Sequence, residues 1–426
     1  MRAVNILGLA ASGISASVYI DRLIRKEHSY CFEGEIRPLR PDFTPDVPSP
    51  PSAGEGQSSI RPLEIADIDT VAALFQQVFR DSAAPAPASL AAYLRWIYFD
   101  MPGCDREITP LVHINEAGEI SGFIGANALQ MRHGDRILRA AICGSLMVSN
   151  HEADPMAGAR LMRSFLAGPQ DISFSETASE VSARMWERLR GSALLQYSLD
   201  WVRVIRPMAF AVEVTSSRLK AARLFSPLAR GLDHFAVKRV RPGQLMWIAA
   251  SGEENSRPNL TTVEIDAGAF AALVEPLTQQ FSLRPDWADG QIEAILADAA
   301  LKTDKGELLL ARIETRTGHP IGAFACHIKS GRIAHVLQIL ARPGQEGAVI
   351  DCLIAEAARR GAAGLRGRTQ PALFEAMLGR RISFTHMAST VIYSRDPELV
   401  RASRNGELFF NGIAGENWSR LVDHNF

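Results

Sequence analysis

Two well-separated stretches of this chain run through the same succession of strand, tight turn, strand, loop and helix. In the first, Leu111 to Met131 reads as two strands about a turn at Ala117-Gly118. Cys143 to Leu166 then reads as an apolar strand that breaks into a polar loop and restarts as an amphipathic helix. In the second, Glu307 to Gly361 runs strand, turn, strand, turn, strand, loop, helix. Gly318-His319-Pro320-Ile321-Gly322-Ala323-Phe324 parallels Gly118 to Phe123, and Ile339-Leu340-Ala341 precedes a loop and helix as Leu146 to Val148 do. A chain written this way folds as α/β units, and internal duplication is the economical explanation. The competing explanation is that any two α/β domains share such an order.

The first loop has the shape of an anion-binding turn. Gly144 to Val148 extends as a buried strand, and Asn150, Asp154 and Pro155 are turn or N-cap residues, which starts a helix near Pro155 or Met156. Unpaired N–H groups at that start face an anion, the helix dipole adds about 0.3–1 kcal/mol, and Gly158 lets the backbone come close. Ahead of it, Ile60 to Arg80 reads as a short strand and a helix whose apolar residues Ile68, Val71, Leu74, Phe75 and Val78 fall at helical spacing, with Asp67 near its start. Tyr93 to Pro102 reads as an aromatic-rich helix end. Behind it come a strand, Asp171 to Glu180, and a helix, Ser182 to Gly191.

This order resembles the GNAT superfamily of acyl-CoA-dependent N-acyltransferases, over about residues 60 to 206 and more weakly over the second stretch. In that family the fourth strand ends in an apolar-Val pair. A loop of the type Arg/Gln-x-x-Gly-x-Gly/Ala follows and holds the coenzyme A pyrophosphate. The matching positions here are Ala153, Asp154, Pro155, Met156, Ala157 and Gly158. Only the last glycine survives, the basic residue is missing, and Asp154 is an unhelpful charge beside a pyrophosphate. The resemblance implies a coenzyme site at Leu146, Met147, Val148, Asp154, Pro155, Met156, Ala157, Gly158 and Ala159, with backbone N–H groups of Met147 and Val148 binding pantetheine and polarising the thioester carbonyl. The second loop, Arg342 to Gly347, carries no phosphate fingerprint. The second copy is therefore expected to have lost coenzyme binding and to shape the acceptor cleft or support the first copy.

Acyl transfer to an amine needs a base for the amine and a proton for the leaving thiolate. The family's acid is a tyrosine in the helix after the fifth strand. Trp186 stands there, and an indole does not titrate usefully. Tyr197 and Ser182 are the nearest substitutes. Glu176, at the exit of the presumed fifth strand, and His151, in the loop, are candidate bases, each with a solvated or capping role as the alternative. Cys143 has no histidine set beside it by any motif and reads as a buried strand cysteine.

Lys+Arg 46 against Asp+Glu 47 leaves no electrostatic footprint for nucleic acid. The cluster Arg359, Arg360, Arg366, Arg368, Arg380 and Arg381 reads as a solvated face or a local anion site. The 5 cysteines include no Cys-x-x-Cys and the 10 histidines no ligand pair, so no metal is implied and a reducing compartment is expected. Val4 to Ile20 is uncharged but rich in Ser and Gly and short for a membrane span. Pro41 to Ser59 reads as an extended linker. The aromatic tail holding Phe409, Phe410 and Trp418 is expected to dock on a core.

The expected organisation is an N-terminal extension and linker (1–59), a GNAT-like domain (60–206), a connection (207–260) with a short helix near Ser216 to Phe225, a degenerate second GNAT-like domain (261–400) and a tail (401–426). The fold class is α/β, as a mixed α+β sheet in each of two tandem domains. The expected activity is cytoplasmic N-acyltransfer from acetyl-CoA or another acyl-CoA as co-substrate, without metal, to a small-molecule amine such as an amino sugar or amino acid derivative. A homodimer is compatible with this reading; contact with nucleic acid or membrane is not expected. The alternatives are a catalytically silent scaffold built from two decayed domains, which predicts the eroded loop and missing tyrosine, and a Fem-type aminoacyl transferase, against which the even charge balance argues.

Overall fold

The computed structural model describes residues 58–216, 257–422 and 426. The N-terminal extension, most of the linker and the expected helix after Ser216 lie outside these residues. The first half contributes β1 (Ser59–Pro62), α1 (Ile68–Arg80), α2 (Ala88–Arg95), β2 (Leu111–Ile114), β3 (Ile120–His133), β4 (Arg136–Val148), α3 (Ala157–Leu166), β5 (Ile172–Ala178), α4 (Glu180–Arg188), β6 (Ser192–Ala193), β7 (Leu199–Val204) and α5 (Pro207–Ser216). The second contributes β8 (Leu260–Glu264), α6 (Ala267–Thr278), β9 (Leu283–Pro285), α7 (Gln291–Ala300), β10 (Glu307–Thr315), β11 (Pro320–Ile328), β12 (Ile333–Ala341), α8 (Glu346–Arg359), β13 (Gly364–Arg368), α9 (Pro371–Met377), β14 (Ser383–His386), β15 (Ser389–Ser394) and α10 (Pro397–Arg404).

Local chemistry accounts for most of these elements. In α1 the residues Ile68, Val71, Leu74 and Phe75 are buried on one stripe. The first hairpin turns at Gly118, φ +80°, while Asn115 Oδ1 accepts the amides of Ala117 and Glu119 at 3.0 and 2.9 Å. The second turns at Gly318 with φ +78°. Ser179 N-caps α4, its hydroxyl accepting the Ser182 amide at 3.3 Å.

The strands form two mixed sheets. One runs β1-β2-β3-β4-β5-β15-β6, with β9 added beside β3; the other runs β8-β10-β11-β12-β13-β7-β14. The two orders correspond strand for strand, and in each the strand after the parallel pair comes from the other half; β9, beside β3, is a further second-half strand in the first sheet. Thus β7 pairs antiparallel with β13, and β15 pairs antiparallel with β5. Sheet membership crosses residue 206: β7, which lies within the span 60–206 expected to form the first domain, completes the second sheet. Helices α3 and α4 cover one face of the first sheet through Leu161, Met162, Phe165 and Trp186. A core common to both halves joins α1, α2, α6 and α7 with Phe409, Ile413 and Trp418 of the tail. The aromatic tail is thus docked, and Phe410 is completely buried as well. Among the described residues, no helix is long and apolar enough to cross a membrane.

Candidate active site

β4 and β5 pair in parallel only where Ala140–Ile142 meet Ile172–Phe174. Beyond that point residues 143–148 and 175–178 diverge, and the sheet opens into a V. The opening strand is bulged. Phe123 faces Met147 and Gly125 faces Gly144, so Ser145 and Leu146 together oppose the single residue Ile124. Ser145 takes φ +55° to do this. Past the bulge Met147 buries its side chain in the core, leaving only its backbone to serve a ligand.

The polar turn at the head of the V leads into α3, which begins at Ala157. Asn150 Oδ1 accepts the Ala153 amide at 3.0 Å and Asp154 Oδ1 accepts the Met156 amide at 3.2 Å. The first intrahelical bond is Arg160 N–H to Met156 C=O at 2.9 Å, so the amides of Gly158 and Ala159 lie in the helix's opening turn. Space exists beside Gly158, where a Cβ would meet only Val148 Cγ2, at 3.7 Å. Asp154 is not an isolated charge. Its carboxylate is ion-paired with Arg160, which holds it below the usual carboxylate range against the opposing effect of burial. Arg160 also meets Nε2 of the buried His113, at 2.9 Å, while His113 Nδ1 meets Ser121 Oγ at 2.8 Å. A basic residue is thus present after all, seven residues beyond Ala153, where the family pattern places it.

The C-terminal tail lies in the V. Glu176, on β5, is fully buried, and its carboxylate accepts the amides of Gly412 (3.0 Å), Glu416 (3.0 Å) and Asn417 (2.6 Å). Gly415 packs so closely on this carboxylate that a Cβ there would lie 2.5 Å from its Cδ. Arg368, at the end of β13, donates to the main-chain carbonyl of Glu176 at 2.5 Å and ties the two sheets together here. Held this way, Glu416 projects between the strands. Its Oε1 accepts from Ser175 Oγ and the Thr177 amide, both at 2.8 Å, and from the Thr177 hydroxyl.

The second sheet has the corresponding opening. β12 and β13 pair in parallel from Ile333–Val336 to Gly364–Gly367 and then part. The tail fills this V with backbone. Ile413 N–H donates to Gln338 Oε1 at 3.2 Å, Asn411 Nδ2 to the Thr369 carbonyl at 3.1 Å, and Gln370 Nε2 to the Phe410 carbonyl at 3.0 Å. At Gly412, φ +63°, a Cβ would lie 2.3 Å from the Leu337 carbonyl oxygen. Gly412→Ala is therefore expected to lower stability by at least about 2 kcal/mol, through left-handed strain and overpacking, measurable by chemical denaturation.

The residues named from sequence have separate fates. Glu176 lies at the V but fastens the tail with both oxygens, so its position supports an anchoring role in place of the expected base. Tyr197 is removed from the V: it is buried beside Phe410 and its hydroxyl donates to the Leu408 carbonyl at 2.8 Å. Ser182 lies in α4, where its amide is capped. His151 sits on the exposed turn. Cys143 is a buried strand cysteine whose thiol burial pushes well up. Trp186 is fully buried against Phe165 and supplies no titrating group. The arginine cluster is ion-paired in part: Arg359 and Arg360 hold Glu356, and Arg380 holds Asp351. Sequence reasoning missed Glu416 and Arg160 altogether, and it treated Tyr98 only as part of an aromatic-rich helix end. The (i, i+6) spacing of Asp154 and Arg160 across a helix start was the one available signal for Arg160.

Neither a protein-family model nor a curated protein matches the sequence. Solved structures do match in fold. A GCN5-related N-acetyltransferase from Anabaena variabilis ATCC 29413 aligns with TM-score 0.51 and 10% identity, over 80% of this chain and 74% of that one. A "conserved protein of unknown function" from Enterococcus faecalis V583, described as a "probable N-acyltransferase", aligns with TM-score 0.51 and 8% identity, over 79% of this chain and 72% of that one. The chain has the mixed α/β fold of GCN5-related N-acetyltransferases, laid out in two sheets.

Proposed function

We propose that the chain is an N-acyltransferase that moves an acetyl or other acyl group from acyl-CoA to an amine of a small molecule, an amino sugar or amino acid derivative. The observation that carries this reading is the V between β4 and β5, with its bulge at Ser145–Leu146 and a polar turn running straight into α3. A bulged strand edge presents main-chain groups to an extended ligand, and a helix start takes an anion. On this reading pantetheine runs along Met147 and Val148, and the pyrophosphate lies at residues 154–159 with Arg160 within reach. The fold likeness to acetyltransferases supports the same assignment. Trp186 in place of a tyrosine favours a second reading, a silent binding protein.

Titration calorimetry of the full chain with acetyl-CoA and with free coenzyme A separates the two. Micromolar binding at one site per chain is expected, because the loop after β12, Arg342 to Gly347, carries no phosphate fingerprint. Gly158→Phe should abolish it by filling the space beside the helix start. No heat from folded protein would overturn the acyltransferase reading in favour of the silent one.

A further inference from the structure

Two buried polar atoms beside the first V lack a well-formed hydrogen bond: Glu416 Oε2 and Tyr98 Oη, the phenol having only the Ser145 side chain near it. Their residues are only 4% and 7% exposed. Orphaned polar atoms at this depth mark a place where something polar belongs. They also share that place. Gly125 and Gly144 stand directly opposite each other on β3 and β4, so their Cβ positions would lie on one face of the sheet, about 4.5–5.5 Å apart. A Cβ on Gly125 would come within 2.3 Å of Tyr98 Oη, and one on Gly144 within 3.6 Å of Glu416 Oε2. The two glycines therefore form a bare floor with the hydroxyl over one and the carboxylate over the other. The bulged Ser145 lies beside both. Tyr98 itself sits in a π-helical turn, Trp96–Asp100, at the end of α2. Such turns recur at functional positions.

Resting on the acyltransferase reading, we propose that this glycine-floored pocket is the acyl-transfer centre, with Glu416 as the catalytic base and Tyr98 as the hydrogen-bond donor to the departing sulfur. The amine nitrogen attacks the thioester carbonyl carbon, forming the C–N bond, and its proton passes to Glu416 Oε2. The C–S bond breaks with its electron pair leaving on sulfur. Tyr98 O–H stabilises the thiolate, and the proton held by Glu416 returns to it, giving amide and coenzyme A thiol. Burial raises both groups above their usual ranges, which suits a carboxylate that must take a proton and a phenol that must keep one. Glu176 and Cys143 are the other titratable groups whose electrostatics couple to Glu416, and neither presents an unpartnered oxygen to the floor.

The test uses the full chain, acetyl-CoA, and n-butylamine or glucosamine as acceptor, followed by thiol release across pH alongside calorimetric binding of acetyl-CoA. Glu416→Gln should bind acetyl-CoA with unchanged affinity, lose at least about 100-fold in rate, and lose the acidic limb of the pH–rate profile. Glu416→Asp should recover part of the rate. Gly144→Ala, whose methyl would cover Oε2 at ordinary contact distance, should slow turnover in a protein that still melts cooperatively. An unchanged rate and pH profile in Glu416→Gln would overturn the assignment while leaving the acyltransferase reading intact. Wild-type protein that binds acetyl-CoA but releases no thiol with either amine overturns the assignment too. Wild-type protein that neither binds acetyl-CoA nor releases thiol overturns both.

Discussion

Replacing Glu176 with Leu should unfasten the C-terminal tail and lower stability by about 3–5 kcal/mol, read as a shift in the urea midpoint at constant slope. The carboxylate receives three main-chain amides, those of Gly412, Glu416 and Asn417, inside a fully buried space. A leucine leaves all three without an acceptor. It also removes the group against which Gly415 packs. The same carboxyl makes stability depend on pH. Burial, reinforced by the neighbouring charge of Glu416 and opposed by Arg368, pushes Glu176 up to about 7 from an ordinary value of 4.5. Between those two values the folded protein holds a proton that the unfolded chain has released. Stability should therefore fall as pH rises from about 4.5 to about 7, by about 3 kcal/mol for this group, and level off above. Glu416 is shifted in the same direction and adds to the slope. Glu176→Gln should flatten the profile; a variant with the parent's full slope would show that the titrating group lies elsewhere.

Dividing the chain between residues 216 and 257 should yield two fragments that do not fold apart and do fold together. The reason is the exchange of strands. Without β15 the first sheet loses the partner of β5 over Ile172 to Ala178, and without β7 the second loses the strand joining β13 to β14. Each fragment would expose an apolar strand edge, the usual template for aggregation. Fragment 58–216 also lacks the tail and so loses Phe410 from the core around Phe174, 4.2 Å away ring to ring. Co-expression should give a soluble one-to-one complex with the circular dichroism of the intact chain. A soluble, cooperatively melting fragment alone would contradict the exchange.

What could be read from the sequence was what is local. Gly118 and Gly318 sit where the chain must turn with positive φ, and both hairpins form where that predicts. The spacing of Ile68 to Val78 gave α1, and the run from Asn150 to Gly158 gave a turn into a helix, with the helix starting at Ala157. The partners of β7 and β15 were not legible, because a strand's period says which face is apolar but not which distant strand it joins. The candidate site divided the same way. Glu176 was found as a carboxylate at the end of β5, yet its role depends on amides more than 230 residues further on, at Gly412 to Asn417. Glu416 stood in a tail whose aromatic residues explained themselves by burial. Its significance appears only where that tail crosses the opening between β4 and β5.

The central claim is that this opening receives the coenzyme. The most direct measurement is a crystal structure of the full chain with coenzyme A bound. The account predicts pantetheine along Met147 and Val148, the pyrophosphate against residues 154–159, and the thiol end directed to the floor formed by Gly125 and Gly144. Coenzyme A seated at β12 and β13, or on a surface away from both openings, would contradict it.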